Sequence, residues 1–130
     1  MLLDTSGLFC LHARSELFHA PACDWYDSAA VRLTHNYVLA EFIALAHSRR
    51  LSRIAALEFH DALSLSPEVE VVWVDPALHL EATNLLHARL DKSYSLCDAV
   101  SFVLMRHRGI QDALTTDHHF DQEGFRRLLK

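Results

Sequence analysis

Four carboxylates stand alone in settings that do not favour a free charge. Asp4 ends the apolar start of "MLLDTSGLF", and Asp117 follows "DALTT". Glu41 is the only charged residue from Asn36 to Ala46, and Asp98 is the only one between Lys92 and Arg106. Burying an unpaired carboxylate is costly, so each position demands a cation, a shell of hydrogen bonds or exposure to water. One shared metal site would satisfy all four, and carboxylate oxygens suit hard ions such as Mg²⁺ or Mn²⁺. Each acid also has a plainer use. Asp4 and Asp117 can cap the helices that follow them, and Ser95-Leu96-Cys97-Asp98 fits the capping-box pattern. Glu41 sits at the margin of an apolar helical stripe, where it can reach water.

The elements around these acids alternate between strand and helix. Leu2-Leu3 reads as a very short buried strand, followed by a helical stretch through Phe9, Leu11 and Leu17 and a second helix over 22–31. The run "THNYVLAEFIALAHSRR" carries Val38, Leu39, Phe42, Ile43, Leu45 and Ala46 at amphipathic spacing, and another helix spans 52–65 up to Pro67. "VEVVWVD" at 69–75 is the clearest strand, and Asp75-Pro76 after it reads as an N-cap with proline at the first helical position. That helix should run to Arg89, the next from Ser95 to Arg108 with Gly109 as its C-cap, and "DALTT" at 112–116 is a short strand before a small helix or turn. The pattern predicts an α/β fold: a mostly parallel sheet covered by helices on both faces. In such sheets, ligands bind beyond the carboxyl ends of the strands, where Asp4 and Asp117 fall.

The bulk properties suit a folded globule. A chain of 130 residues, 51% hydrophobic and 22% charged, is expected to form one domain over 1–130 and to need no disulfide or structural metal. Cys10, Cys23 and Cys97 are odd in number and form no CxxC pair, so neither a disulfide framework nor a cysteine-based zinc site is indicated, and a reducing cytoplasm is the simplest compartment. The apolar start ends at Asp4, too soon for a signal peptide, and no run approaches the ~20 residues of a membrane span. The net charge of −5 argues against a general nucleic-acid coat but not against a nuclease: taking the four acids from −5 leaves −1. Ten histidines include no HExxH, and His118-His119 beside Asp117 read as residues that shape a loop. Arg49, Arg50 and Arg53, and Arg126, Arg127 and Lys130, form two basic groups that could contact phosphates or simply sit at helix ends and on the surface.

The pieces "LLDTSGLF", "THNYVLAEF", "YSLCDAVSFVLM" and "ALTTDHHFDQEGF" together resemble the PIN-domain nucleases, most of all the VapC-type toxins of toxin–antitoxin modules. The resemblance implies a three-layer α/β/α PIN-like fold and metal-dependent hydrolysis of RNA phosphodiester bonds. It matches the family's four acids to Asp4, Glu41, Asp98 and Asp117, as catalytic and Mg²⁺- or Mn²⁺-holding residues. It also places orienting hydroxyls at Thr5, Ser6 and Thr116. The partners it implies are an RNA substrate and a cognate antitoxin, and the apolar early helices (Phe9, Leu11, Leu17, Phe18, Trp25, Tyr26) lead to the expectation of a homodimer. Asp91 and Asp121 stand near the third and fourth acids in more polar surroundings that suit surface roles.

Two other readings compete. A PIN-fold RNA-binding or RNA-processing subunit with little catalysis of its own would not need all four acids. An unrelated phosphatase or receiver domain fares worse, because "DTSGL" lacks the second aspartate of the phosphatase signature and receiver domains need paired acids on the first strand.

Overall fold

A computed structural model of the chain describes residues 1–130. Five short strands form one sheet: β1 (Leu2–Leu3), β2 (Leu33–His35), β3 (Glu70–Val72), β4 (Asp112–Leu114) and β5 (Arg126–Arg127). Their spatial order is β3-β2-β1-β4-β5, and every neighbouring pair is parallel. The seven helices are α1 (Thr5–His12), α2 (His19–Ser28), α3 (Asn36–Ser48), α4 (Arg53–Leu65), α5 (Pro76–His87), α6 (Leu96–Arg108) and α7 (His119–Gln122).

Register explains the layers. Leu2 lies opposite Ala113 and Leu3 opposite Leu114, and successive strand residues face opposite sides of a sheet. Leu3 and Leu114 therefore join Leu8, Val38 and Phe42 beneath α1 to α4, while Leu2 and Ala113 join Phe102, Met105 and Phe120 beneath α6 and α7. Helix α5 packs on α6 through Leu78 and Ala82 against Val100 and Leu104. Phe42, Phe102 and Phe120 are fully buried, each worth about 1.5–3 kcal/mol of apolar transfer. The result is the expected three-layer α/β/α architecture.

Most helix boundaries follow from local chemistry. Asp75 accepts the Leu78 N–H at 2.8 Å with Pro76 behind it, and Gly109 closes α6 with φ of 64°. Ser52 caps α4, and the buried His35 ring caps α3 by accepting the Val38 N–H.

The departures from the expected elements lie where sequence carries no stop signal. Helix α1 ends at His12 rather than running on to Leu17, because Ala13 turns extended (φ −91°, ψ 103°) without a glycine or proline to mark it. Helix α2 occupies His19–Ser28, three residues earlier than the expected 22–31. Strand β3 keeps only Glu70–Val72 of the expected 69–75: His35 pairs with Val72, and the Val74 N–H turns to Asn36 Oδ1 at 2.7 Å. Strand β4 likewise stops at Leu114 rather than Thr116. Strands β2 and β5, three and two residues long, were not foreseen.

The chain crosses from β1 outward to β2 and β3 on one side and to β4 and β5 on the other. The crevice between the carboxyl ends of β1 and β4 is thus the switch point at which open α/β sheets bind ligands. Gly7 makes that crevice narrow. A Cβ at this position would overlap the Leu114 carbonyl oxygen, the same oxygen that accepts the Asp4 N–H at 3.2 Å, so only glycine lets α1 begin directly over β4.

Candidate active site

Four separate elements deliver the four acids to that crevice. Asp4 leaves the end of β1, Glu41 stands on α3, Asp98 on the first turn of α6, and Asp117 follows β4. All four line one cleft of about 310 Å³, together with Thr5, Ser6, Ser95 and His119. Asp91 and Asp121 are outside it: Asp91 pairs with Lys92 at 3.3 Å and Asp121 with Arg127 at 2.9 Å.

A directed chain of hydroxyls fixes Asp4. The Thr116 N–H donates to Ser6 Oγ at 2.9 Å, Ser6 Oγ lies 3.0 Å from Thr115 Oγ1, and Thr115 Oγ1 donates to Asp4 Oδ2 at 2.8 Å. Thr115 has one proton and gives it to Asp4, so the Ser6 proton is shared between Thr115 Oγ1 at 3.0 Å and Asp4 Oδ2 at 3.4 Å. The Asp117 N–H also donates to Thr115 Oγ1 at 3.0 Å, which ties the first and fourth acids through one side chain. The hydroxyl expected at Thr116 is thus supplied by Thr115. Thr116 contributes its backbone instead, donating to Ser6 and accepting from Arg127 Nη1 at 3.0 Å. Thr115 is fully buried just past the end of β4, against the acids, whereas Thr116 is only half-buried. Thr5 Oγ1 donates to Glu41 Oε2 at 2.9 Å.

The capping alternatives resolve differently at each acid. Asp4 occupies the N-cap position of α1 but makes no side-chain cap bond. Asp98 does close a capping box, with Ser95 N–H to Asp98 Oδ2 and Asp98 N–H to Ser95 Oγ both at 3.0 Å, while also lining the cleft. Asp117 Oδ1 accepts the His119 N–H at 2.9 Å and shapes the turn into α7. Glu41 is exposed to the cleft rather than buried.

Electrostatics favour a cation here. Burial raises the Asp4 carboxyl to about 7, the charges of Asp98 and Asp117 add to this, and the Thr115 hydrogen bond opposes it. Asp98 is also raised, first by burial and further by Asp117, against the lowering effect of the Ser95 N–H and His119. Burial, with Glu41 and Asp4 nearby, pushes the Cys97 thiol up, so it stays neutral and is no nucleophile. Asp4 and Asp98, buried beside one another and the Asp117 charge, gain from a counter-charge, and the oxygen donors of the cleft match a hard divalent ion.

His119 was not foreseen as part of the site. Its Nδ1 lies 3.1 Å from Asp98 Oδ2 and 3.4 Å from Asp117 Oδ2, and its side chain is only 15% exposed. The signal available in sequence was its position two residues after Asp117, within reach of an Asx turn. The two arginines of the C-terminal basic group are committed elsewhere: Arg126 forms a two-pronged pair with its cross-strand neighbour Asp112 at 2.7 and 2.6 Å, and Arg127 pairs with Asp121. Arg49 instead lies over the Phe9 ring at 5.3 Å, lining a groove that shares Ser6 and Leu45 with the acidic cleft.

A parallel sheet with its acids gathered at the switch point defines a class: the chain belongs to the PIN-domain family, whose model matches residues 1–125. Within it, the chain is similar to the 23S rRNA-specific endonuclease VapC20 of Mycobacterium tuberculosis, strains CDC 1551 and H37Rv. It is 33% identical to that protein over 126 residues, which cover 96% of this chain and 95% of the relative. The crystal structure of M. tuberculosis VapC20, described as a sarcin-ricin loop cleaving toxin, matches with a TM-score of 0.89. Its sequence is 32% identical, over 99% of this chain and 98% of that one.

Proposed function

We propose that the chain is a Mg²⁺- or Mn²⁺-dependent endoribonuclease and the toxin of a toxin–antitoxin module. The observation that carries this reading is the convergence of Asp4, Glu41, Asp98 and Asp117, from four elements, on one cleft at the switch point. Asp4, Asp98 and Asp117 would hold the ion, directly or through water, with Glu41 completing the set. A bound divalent ion lowers the pKa of water and offsets charge on the phosphate during phosphodiester hydrolysis. Thr115 and Ser6 keep the Asp4 carboxylate oriented toward the cleft, and Thr5 does the same for Glu41. Arg49, beside the cleft, is placed to meet a substrate phosphate.

Similarity to a 23S rRNA-specific endonuclease over 96% of the chain supports structured ribosomal RNA as the first substrate to test. Leu17 and Trp25 are exposed, and Leu11, Tyr26, Phe59 and Leu63 line an apolar groove of about 290 Å³, which supports an antitoxin and a homodimer as partners. No helix is long and apolar enough to cross a membrane.

The test uses purified protein and 23S rRNA with Mn²⁺, with excess EDTA, and with the Asp4→Asn variant. Cleavage should require the metal and Asp4. Undiminished cleavage in EDTA, or by Asp4→Asn, would sink the mechanism.

A further inference from the structure

The four acids do not account for His119, which lines the same cleft. There the His119 ring presents Nδ1 between two carboxylate oxygens, at 3.1 Å from Asp98 Oδ2 and 3.4 Å from Asp117 Oδ2. A hydrogen bond from Nδ1 accounts for Asp98 Oδ2 at 3.1 Å and leaves Asp117 Oδ2, at 3.4 Å, without a good donor of its own. An octahedral ion with bonds of about 2.1 Å holds adjacent donor atoms about 3.0 Å apart, close to both separations. We infer that His119 Nδ1 is itself a metal ligand, completing a mixed nitrogen and oxygen donor set with Asp98 and Asp117; the inference rests on reading the cleft as a metal site.

The surroundings of the ring fit this role. Its other nitrogen, Nε2, lies 3.2 Å from Ser93 Oγ, and a metal-bound imidazole characteristically donates that second N–H to an oxygen. Tyr94 packs edge-on against the ring at 5.3 Å between centroids, and its hydroxyl donates to Glu123 Oε2 at 3.0 Å. Buried Glu123 is in turn clamped by Arg89 at 3.1 Å and Arg106 at 3.0 Å. The imidazole therefore cannot swing out of the cleft without disturbing an anchored aromatic. His118 has none of this. Its side chain is 64% exposed, and its Nδ1 is 3.6 Å from Asp117 Oδ1, the oxygen already occupied by the His119 N–H. One nitrogen donor shifts a carboxylate site away from Mg²⁺ and toward transition ions such as Mn²⁺.

Mn²⁺ bound to RNA-free protein reports this directly, because pulsed electron paramagnetic resonance detects a nitrogen attached to the ion. The wild-type protein should show one bound nitrogen whose signature changes when histidine alone is labelled with ¹⁵N. The signal should persist in His118→Ala and vanish in His119→Ala, whose Mn²⁺ affinity should fall about tenfold or more and whose Mg²⁺ affinity should fall less. Bound Mn²⁺ without a nitrogen signal in the wild type, or a signal that survives in folded His119→Ala, overturns the role of His119 and leaves the metal reading standing. Failure of the wild-type protein to bind Mn²⁺ at all overturns both.

Discussion

Thr115 and Asp4 stand 111 positions apart in the chain, yet the threonine hydroxyl donates to the Asp4 carboxylate at 2.8 Å. This bond joins the carboxyl ends of β1 and β4 across the switch point. Thr115→Val keeps the shape but removes Asp4's best donor and the acceptor of the Asp117 N–H. It should cost about 1–3 kcal/mol and weaken Mn²⁺ binding, whereas Thr116→Val should stay within about 0.5 kcal/mol. Urea melts and Mn²⁺ titrations on the two variants separate them, and equal effects would return the role to Thr116.

Asp98 has two duties that charge neutralisation pulls in opposite directions. Asn at this position can still accept the Ser95 N–H, so little capping stability is at stake, about 0.5–1 kcal/mol at most. Removing one of several clustered charges relieves repulsion when no ion is bound. The metal-free Asp98→Asn protein should therefore melt no lower than the wild type, lose RNA cleavage, and gain less from added Mn²⁺. A less stable variant that still cleaves and still responds to metal would remove Asp98 from the site.

Gly7→Ala should be severe for a residue so small. The added methyl meets the Leu114 backbone oxygen, which cannot move without shifting β4. We expect a loss of about 1–3 kcal/mol or more, as for overpacked cores, with weakened Mn²⁺ binding because α1 and β4 must separate. Thermal melts and metal titration test this. A fully stable variant with normal metal affinity would show that the contact between α1 and β4 has room to relax.

The buried His35 ring gives a pH signature distant from the acids. Burial lowers its pKa to about 3, so the folded protein keeps it neutral while the unfolded chain takes up a proton below about 6.5. Its contribution to stability is thus present above pH 6.5 and lost as pH falls toward 3. Burial of Asp4 acts with the opposite sign, so the informative quantity is the difference between wild type and His35→Gln. That difference, measured by denaturant melts, should be largest near pH 7 and shrink steadily on acidification. A constant difference would mean that His35 is not neutral in the folded state.

Much of the fold could be read locally, because the relevant signals are short-range. The Asp75-Pro76 start, the Ser95 box and Gly109 are contained in a few residues each, and α5 and α6 begin where those signals place them. The isolation of Glu41 and Asp98 among apolar neighbours was equally visible. Strands β2 and β5 were not, since three and two residues become strands only by pairing with β1, β3 and β4. The exchange of Thr116 for Thr115 has a similar origin. Two identical neighbours differ only in which hydroxyl the chain turns toward Asp4 as it leaves β4, and that contact spans most of the sequence. His119 joined the site through the Asp117 turn, which its neighbours in sequence offer, and through Tyr94, 25 residues away, which they do not.

The sharing of Asp98 Oδ2 between the Ser95 N–H and the His119 ring also bears on how such a chain can evolve. A lineage that silenced its nuclease by replacing Asp98 with anything other than the cap-preserving Asn would loosen the start of α6 as well, and selection for folding would resist that route. Glu41 carries no comparable burden, because its exposed carboxylate receives the Thr5 hydroxyl and closes no helix cap. Among descendants that keep this fold but abandon cleavage, the glutamate on α3 should be the first of the four acids to disappear.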